Sequence, residues 1–173
     1  VYLNAGTHLG TRFLDLSTLA ELRGIRATRT GIRIGALETF DRIARQPRLS
    51  AWPLLLQAAR WVGAAQIQNR ATLGGNIANA SPAGDSLPVL MALDAVVQAR
   101  SVRGPRAVPF ADLFLGYRDL ALEPDELITA VSLPAPPARA KQFFRKVGTR
   151  RAQSISKVVL AGLLAACGAQ PLV

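Results

Sequence analysis

The run ATLGGNIANASPAGDS, residues 71–86, gathers three glycines, two asparagines, two serines, a proline and one aspartate between two apolar, helix-like segments. Gly74 and Gly75 have no Cβ, so they can take positive φ and bring their N–H groups close to an anion. Composition leaves two readings open, a phosphate cradle and a plain turn. Beyond the run, Asp85 or Ser86 can cap a helix from Leu87 to Leu93, with Pro88 tolerated in its first turn. That helix end faces the mouth of the loop and is a second anion-friendly element. Asp85 therefore has two candidate roles, helix cap or partner for a ligand hydroxyl.

Upstream, Thr39 can cap a helix from Phe40 to Arg45 that Pro47 stops. A second helix runs from Trp52 or Pro53 to Gly63, with Leu55, Leu56, Ala59 and Val62 on one face. Trp52 and Trp61 read as core or interface residues. Ile32 and Ile34 alternate with Arg33 in a strand spanning Thr30–Ala36, and Thr11–Ser17 reads as a short buried strand. Downstream, strands are expected at Val96–Val102, Ala107–Val108, Leu127–Leu133 and Gln142–Gly148, with a helical turn at Phe110–Leu115. Ile155–Ala166 is apolar enough for a central strand or a buried helix. The pattern is α+β; it lacks regular βαβ alternation, and GxGxxG does not occur.

The whole chain has 173 residues, half of them hydrophobic, with mean hydropathy +0.22 and net charge +10. It is long enough for one domain or two small lobes. The basic residues are scattered, without aromatic interleaving, which argues against a nucleic-acid surface. Cys167 is the sole cysteine and His8 the sole histidine, so neither a cysteine-held metal or iron–sulfur site nor a Ser-His-Asp triad can be assembled from them alone. A metal site is not expected. No segment approaches the roughly 20 apolar residues of a membrane span, and VYLNAGTHLG lacks the layout of a signal peptide. A cytoplasmic location is expected.

The run QIQNRATLGGNIANASPAGDSLPVLMALDA, followed by GYR, LEPDELI and FFRKVGTRRAQSISKVV, resembles the FAD-binding domain of the molybdenum hydroxylases. That family includes the flavin domain of xanthine dehydrogenase and the medium subunit of carbon monoxide dehydrogenase. The resemblance covers about Arg12 to Ala166. It implies a two-lobed fold with FAD extended between the lobes and its pyrophosphate on two glycine-containing loops. Thr72, Leu73, Gly74, Gly75 and Asn76 match the second of those loops. The resemblance further implies cofactor contacts at Ser81 and at Asp85 for FAD hydroxyls, Ile128 along the flavin, and Lys146 near the isoalloxazine or its chain.

Family members also carry an earlier loop of the form AGGTD, which counts back to just before Val1. AGTH at Ala5–His8 has the wrong spacing for it. The chain is accordingly expected to lack the first phosphate loop. Residues 1–140 are expected to form the FAD-binding domain and 141–173 the truncated start of a C-terminal flavoprotein lobe. The resemblance implies an oxidoreductase component that takes electrons from iron–sulfur clusters of a partner, itself allied to a molybdopterin subunit, and passes them to NAD+ or another acceptor. No residue is expected to act as acid, base or nucleophile. The alternative is a noncatalytic remnant that keeps the scaffold and partner surface without stable FAD binding.

Overall fold

The computed structural model describes residues 12–165; His8, Cys167 and the AGTH run lie outside them. An antiparallel sheet is built from strands β1 (Ile25–Ala27), β2 (Gly31–Gly35), β3 (Val96–Ser101), β4 (Gly104–Pro109) and β7 (Leu127–Pro134), in the order β1-β2-β7-β3-β4. Alternation dictates its two faces. Ile32 and Ile34 of β2, Val97 of β3 and Val131 and Leu133 of β7 point into the core, while Arg33, Gln98 and Ser132 do not.

Helices α1 (Phe40–Ala44), α2 (Pro53–Trp61), α3 (Ala65–Arg70), α4 (Leu73–Ala78) and α5 (Leu87–Ala92) accompany the core face. Phe40, Ile43, Leu54, Leu55, Leu73, Ile77 and Leu90 are fully buried among the sheet residues. Burial of each such side chain contributes on the order of 1.5–3 kcal/mol. Thr39 caps α1 by accepting from the Arg42 N–H, as its position predicts. Pro53 opens α2, and the apolar stripe of that helix centres on Leu54, Leu55, Ala58 and Ala59. Trp52 is buried and its indole Nε1 donates to the Pro134 carbonyl at 2.9 Å, tying the start of α2 to the end of β7. Trp61 is 40% exposed, so the core reading fails for it. It lies on the last turn of α2, whose buried stripe runs through Ala58 and Ala59.

Two further hairpins stand among the described residues: β5 (Phe114–Gly116) with β6 (Asp119–Leu120), and β8 (Lys141–Gly148) with β9 (Ser156–Leu164). The inner face of the β8–β9 hairpin packs on α2 and α5. Gln142 fastens it, donating to the Ala51 carbonyl and accepting from the Leu54 N–H. Phe143, Val147, Val158, Leu160 and Leu164 stand on the outer face and are exposed. The described part of the Ile155–Ala166 stretch thus holds β9, a strand of an outlying hairpin, not a central strand or a buried helix; Ala166 lies outside the described residues.

Residues 12–16 form no strand. Phe13 and Leu14 are exposed there, and no described strand pairs with the segment; Thr11 lies outside the described residues.

Candidate functional site

The glycine run is helical. Thr72 is the N-cap of α4, its Oγ1 accepting from the Gly75 N–H at 3.1 Å. Gly74 and Gly75 both lie inside the helix and neither has positive φ. Neither the positive-φ glycine loop expected of a cradle nor the plain turn is found; a helix stands in their place. The N–H groups expected to face an anion have protein partners. Leu73 donates to the Glu38 carbonyl and Gly74 to the Ala36 carbonyl, both at 2.9 Å, and Asn76 donates to the Thr72 carbonyl.

These bonds explain Gly74. The strap that follows β2 runs antiparallel to the entry of α4, with Thr39 bridging Thr72. A Cβ on Gly74 would sit 2.7 Å from the Ala36 Cβ and 2.9 Å from its carbonyl oxygen. Only glycine lets the helix dock that closely. A Cβ on Gly75 would meet only the Thr72 Oγ1, at 2.8 Å, on the exposed side of the helix.

Helical spacing also aligns Thr72, Gly75, Asn76 and Asn79 as i, i+3, i+4 and i+7. They line a groove of about 600 Å3 with Arg70 and Arg118. A second cavity of about 550 Å3 shares Asn76 and Asn79 and continues to Ser81, Gly84, Asp85 and Arg150. Each volume is within the range of small-molecule sites, about 300–1,000 Å3. The Ser86 hydroxyl donates to the Asn76 Oδ1 at 2.6 Å, fixing that amide.

Asp85 does not cap α5, since Ser86 holds the N-cap position without a side-chain bond. Its Oδ2 instead accepts from the Lys146 Nζ at 2.6 Å and its Oδ1 from the Ser156 hydroxyl. The Lys146 Nζ also donates to the Trp61 carbonyl at 3.2 Å. The Asp85 and Lys146 side chains are 8% and 3% exposed. Two residues assigned separately to a cofactor are thus brought together, as a buried ion pair between the groove wall and β8. Ile128 is not brought there: it is buried in the core on β7.

The chain matches, over residues 1–136, the model of the family described as the FAD binding domain in molybdopterin dehydrogenase. It belongs to that family. Among relatives of this FAD-binding family, the nicotinate dehydrogenase FAD-subunit of Eubacterium barkeri is 40% identical over 149 residues, covering 84% of this chain and 50% of that protein. The putative xanthine dehydrogenase FAD-binding subunit XdhB of Escherichia coli (strain K12) is 36% identical over 148 residues, covering 84% and 51%. Carbon monoxide dehydrogenase from Hydrogenophaga pseudoflava, in a form lacking the Mo-pyranopterin moiety, superposes with a TM-score of 0.85 at 29% identity. That match covers 89% of this chain and 54% of the other. The chain spans about half the length of the curated relatives it matches.

FAD is the cofactor of this family, and the α+β fold is that of its FAD-binding domain. The groove suits such a ligand. It offers the Thr72 hydroxyl, the side-chain amides of Asn76 and Asn79, and the guanidinium groups of Arg70, Arg118 and Arg150, in a space where a Cβ at Gly75 would intrude. Arg70, Asn79, Arg118 and Arg150 were not singled out as site residues in the sequence. Asn79 was detectable from its helical spacing to Thr72 and Asn76, and Arg118 from its place in GYR. Among the described residues no cluster could hold a metal ion, and no helix is long and apolar enough to cross a membrane.

Proposed function

We propose that this chain is the flavin-holding electron-transfer part of a molybdenum hydroxylase-type dehydrogenase, working with iron–sulfur and molybdopterin subunits or domains in the cytoplasm. One observation carries the reading: a polar helix face, Thr72, Gly75, Asn76 and Asn79, borders a groove that Arg70 and Arg118 also line, and Arg150 lines the cavity that adjoins it. FAD, when bound, supplies the redox chemistry, taking electrons from the iron–sulfur side and yielding them to NAD+ or another acceptor.

The residues of the chain bind and position. Arg70, Arg118 and Arg150 would offset pyrophosphate charge, and Thr72, Asn76, Asn79 and Ser81 would bond oxygens along the ligand. Leu73 and Gly74 anchor α4 so that this face stays presented. Asp85 and Lys146 brace the wall, and Ile128 supports the sheet from within. No side chain in the groove is assigned as acid, base or nucleophile.

Residues 1–140 would be the FAD-binding domain and 141–173 the opening of a second lobe. The bare apolar outer face of the β8–β9 hairpin supports that division, because such a face is normally covered.

A second reading, a noncatalytic scaffold without stable FAD, is favoured by a different observation. Both Asp85 oxygens and the first N–H groups of α4 already have protein partners. Titration of the purified chain with FAD, followed by desalting and an absorbance scan, separates the two. Flavin bands that persist, and that Asn76→Ala with Asn79→Ala removes, support the first reading. A colourless protein indifferent to added FAD supports the second.

A further inference from the structure

The side of the sheet turned away from the core carries a groove of about 710 Å3. Its floor holds Gln98, Thr129 and Ser132, and the turn Ala20–Leu22 walls it. Arg33 and Arg100 both line it. Arg26 and Arg33 are direct cross-strand partners in β1 and β2, an arrangement in which like charges repel. Close by, Arg103 and Arg106 each grip a carboxylate, Asp125 at 2.8 Å and Glu126 at 2.5 Å. Arg26, Arg33 and Arg100 have no ion pair among the described residues. Glu21, the carboxylate in the wall, reaches none of them.

We infer that this groove is a docking site for an acidic, extended polypeptide segment of a partner subunit. Arg33 lies level with Ser132 and Val96, whereas Arg100 stands four residues farther along β3. Four residues at about 3.3 Å along the strands, and two strand spacings of about 4.8 Å across β7, set their backbone positions roughly 16 Å apart. One small anion would not bridge that span, whereas carboxylates about four to six residues apart on one face of an extended chain match it. Gln98, Thr129 and Ser132 between them offer polar groups to such a chain, and Leu22, Leu127 and Pro105 offer apolar edges. The inference rests on the multi-subunit reading only for where the segment comes from.

The test is fluorescence anisotropy of a fluorescein-labelled ten-residue peptide of alternating Glu and Ser, at low and at near-physiological salt. R33Q/R100Q should weaken binding about tenfold, as loss of two charge contacts, one half-buried and one exposed, implies. R139Q/R151Q removes the same charge elsewhere and should change it less than about twofold. R100Q alone alters only an exposed side chain and should weaken binding about threefold, which keeps the test alive if the double variant fails to fold. Equal losses in R33Q/R100Q and R139Q/R151Q, or no binding by the unmodified chain, overturn the inference. So does tighter binding of a ten-nucleotide oligothymidylate with the same arginine dependence, which would mark a phosphate-polyanion site. Saturating FAD should leave the peptide bound; displacement would place the peptide in the cofactor groove and overturn it. Lost peptide binding with FAD binding intact would strike this inference and leave the flavin reading standing.

Discussion

Lys146 reaches back 61 residues to Asp85 and meets its carboxylate at 2.6 Å, joining the β8–β9 hairpin to the turn that opens α5. Both side chains are almost wholly out of water, so either charge left alone would be poorly solvated. The Ser156 hydroxyl and the Trp61 carbonyl take up remaining bonding capacity of the pair.

Asp85→Ala or Lys146→Met should each destabilise the fold by about 3–5 kcal/mol, because each strands a buried charge. Replacing both at once, as Asp85→Leu with Lys146→Met, should recover most of that loss. Urea unfolding of the three variants checks the order.

Gly74→Ala and Gly75→Ala should behave oppositely. The Cβ at 74 would strike Ala36, including its backbone oxygen, and should cost about 1–3 kcal/mol. The Cβ at 75 meets a hydroxyl and sits in a helix, where alanine is favoured over glycine by about 1 kcal/mol. Gly75→Ala should therefore fold at least nearly as well as the unmodified chain while weakening FAD uptake. Paired thermal melts and flavin titrations read both effects.

Thr72→Ala removes the N-cap of α4 and should cost about 1 kcal/mol, whereas Thr72→Ser should restore the cap. If the hydroxyl also contacts ligand, Thr72→Ser should retain FAD binding that Thr72→Ala weakens. Isothermal titration with FAD distinguishes the variants.

The Arg106 guanidinium, aided by the Glu123 N–H, holds the Glu126 carboxyl down from 4.5 to about 2. A group whose pKa is lower in the folded state stabilises above its unfolded pKa and loses that contribution as pH falls through its folded one. Stability should thus decline between about pH 4.5 and pH 2 on this account. Glu126→Gln should flatten that part of the curve, as measured by denaturant unfolding across the range.

Elements with strong local signals were readable from the sequence. Ile32–Arg33–Ile34 alternation marked β2, Thr39 marked the start of α1, and Pro53 marked that of α2. The helix α4 was obscured because Gly74 and Gly75 are poor helix formers taken alone. The reason for Gly74 lies in Ala36, far off in the chain, which only tertiary packing brings near. The same applies to Asp85: next to a helix start it reads as a cap, and its actual partner sits on a hairpin more than half a hundred residues away. Thr72, Asn76 and Asn79 carry a signal that the loop-like composition hid, since their spacing is helical.

The strand order carries a consequence for biosynthesis. The strand Leu127–Pro134 lies between β2 and β3 and pairs with both, although it is made after either. On a ribosome, the described residues that precede β7 can form helices and the β1–β2 ribbon, but they cannot close the sheet. Closure waits for a segment that must insert between two edges already synthesised, a long-range step of the slow kind. Until it arrives, those edges and the apolar faces behind them stay open to other chains, and a chaperone would have its chief work there.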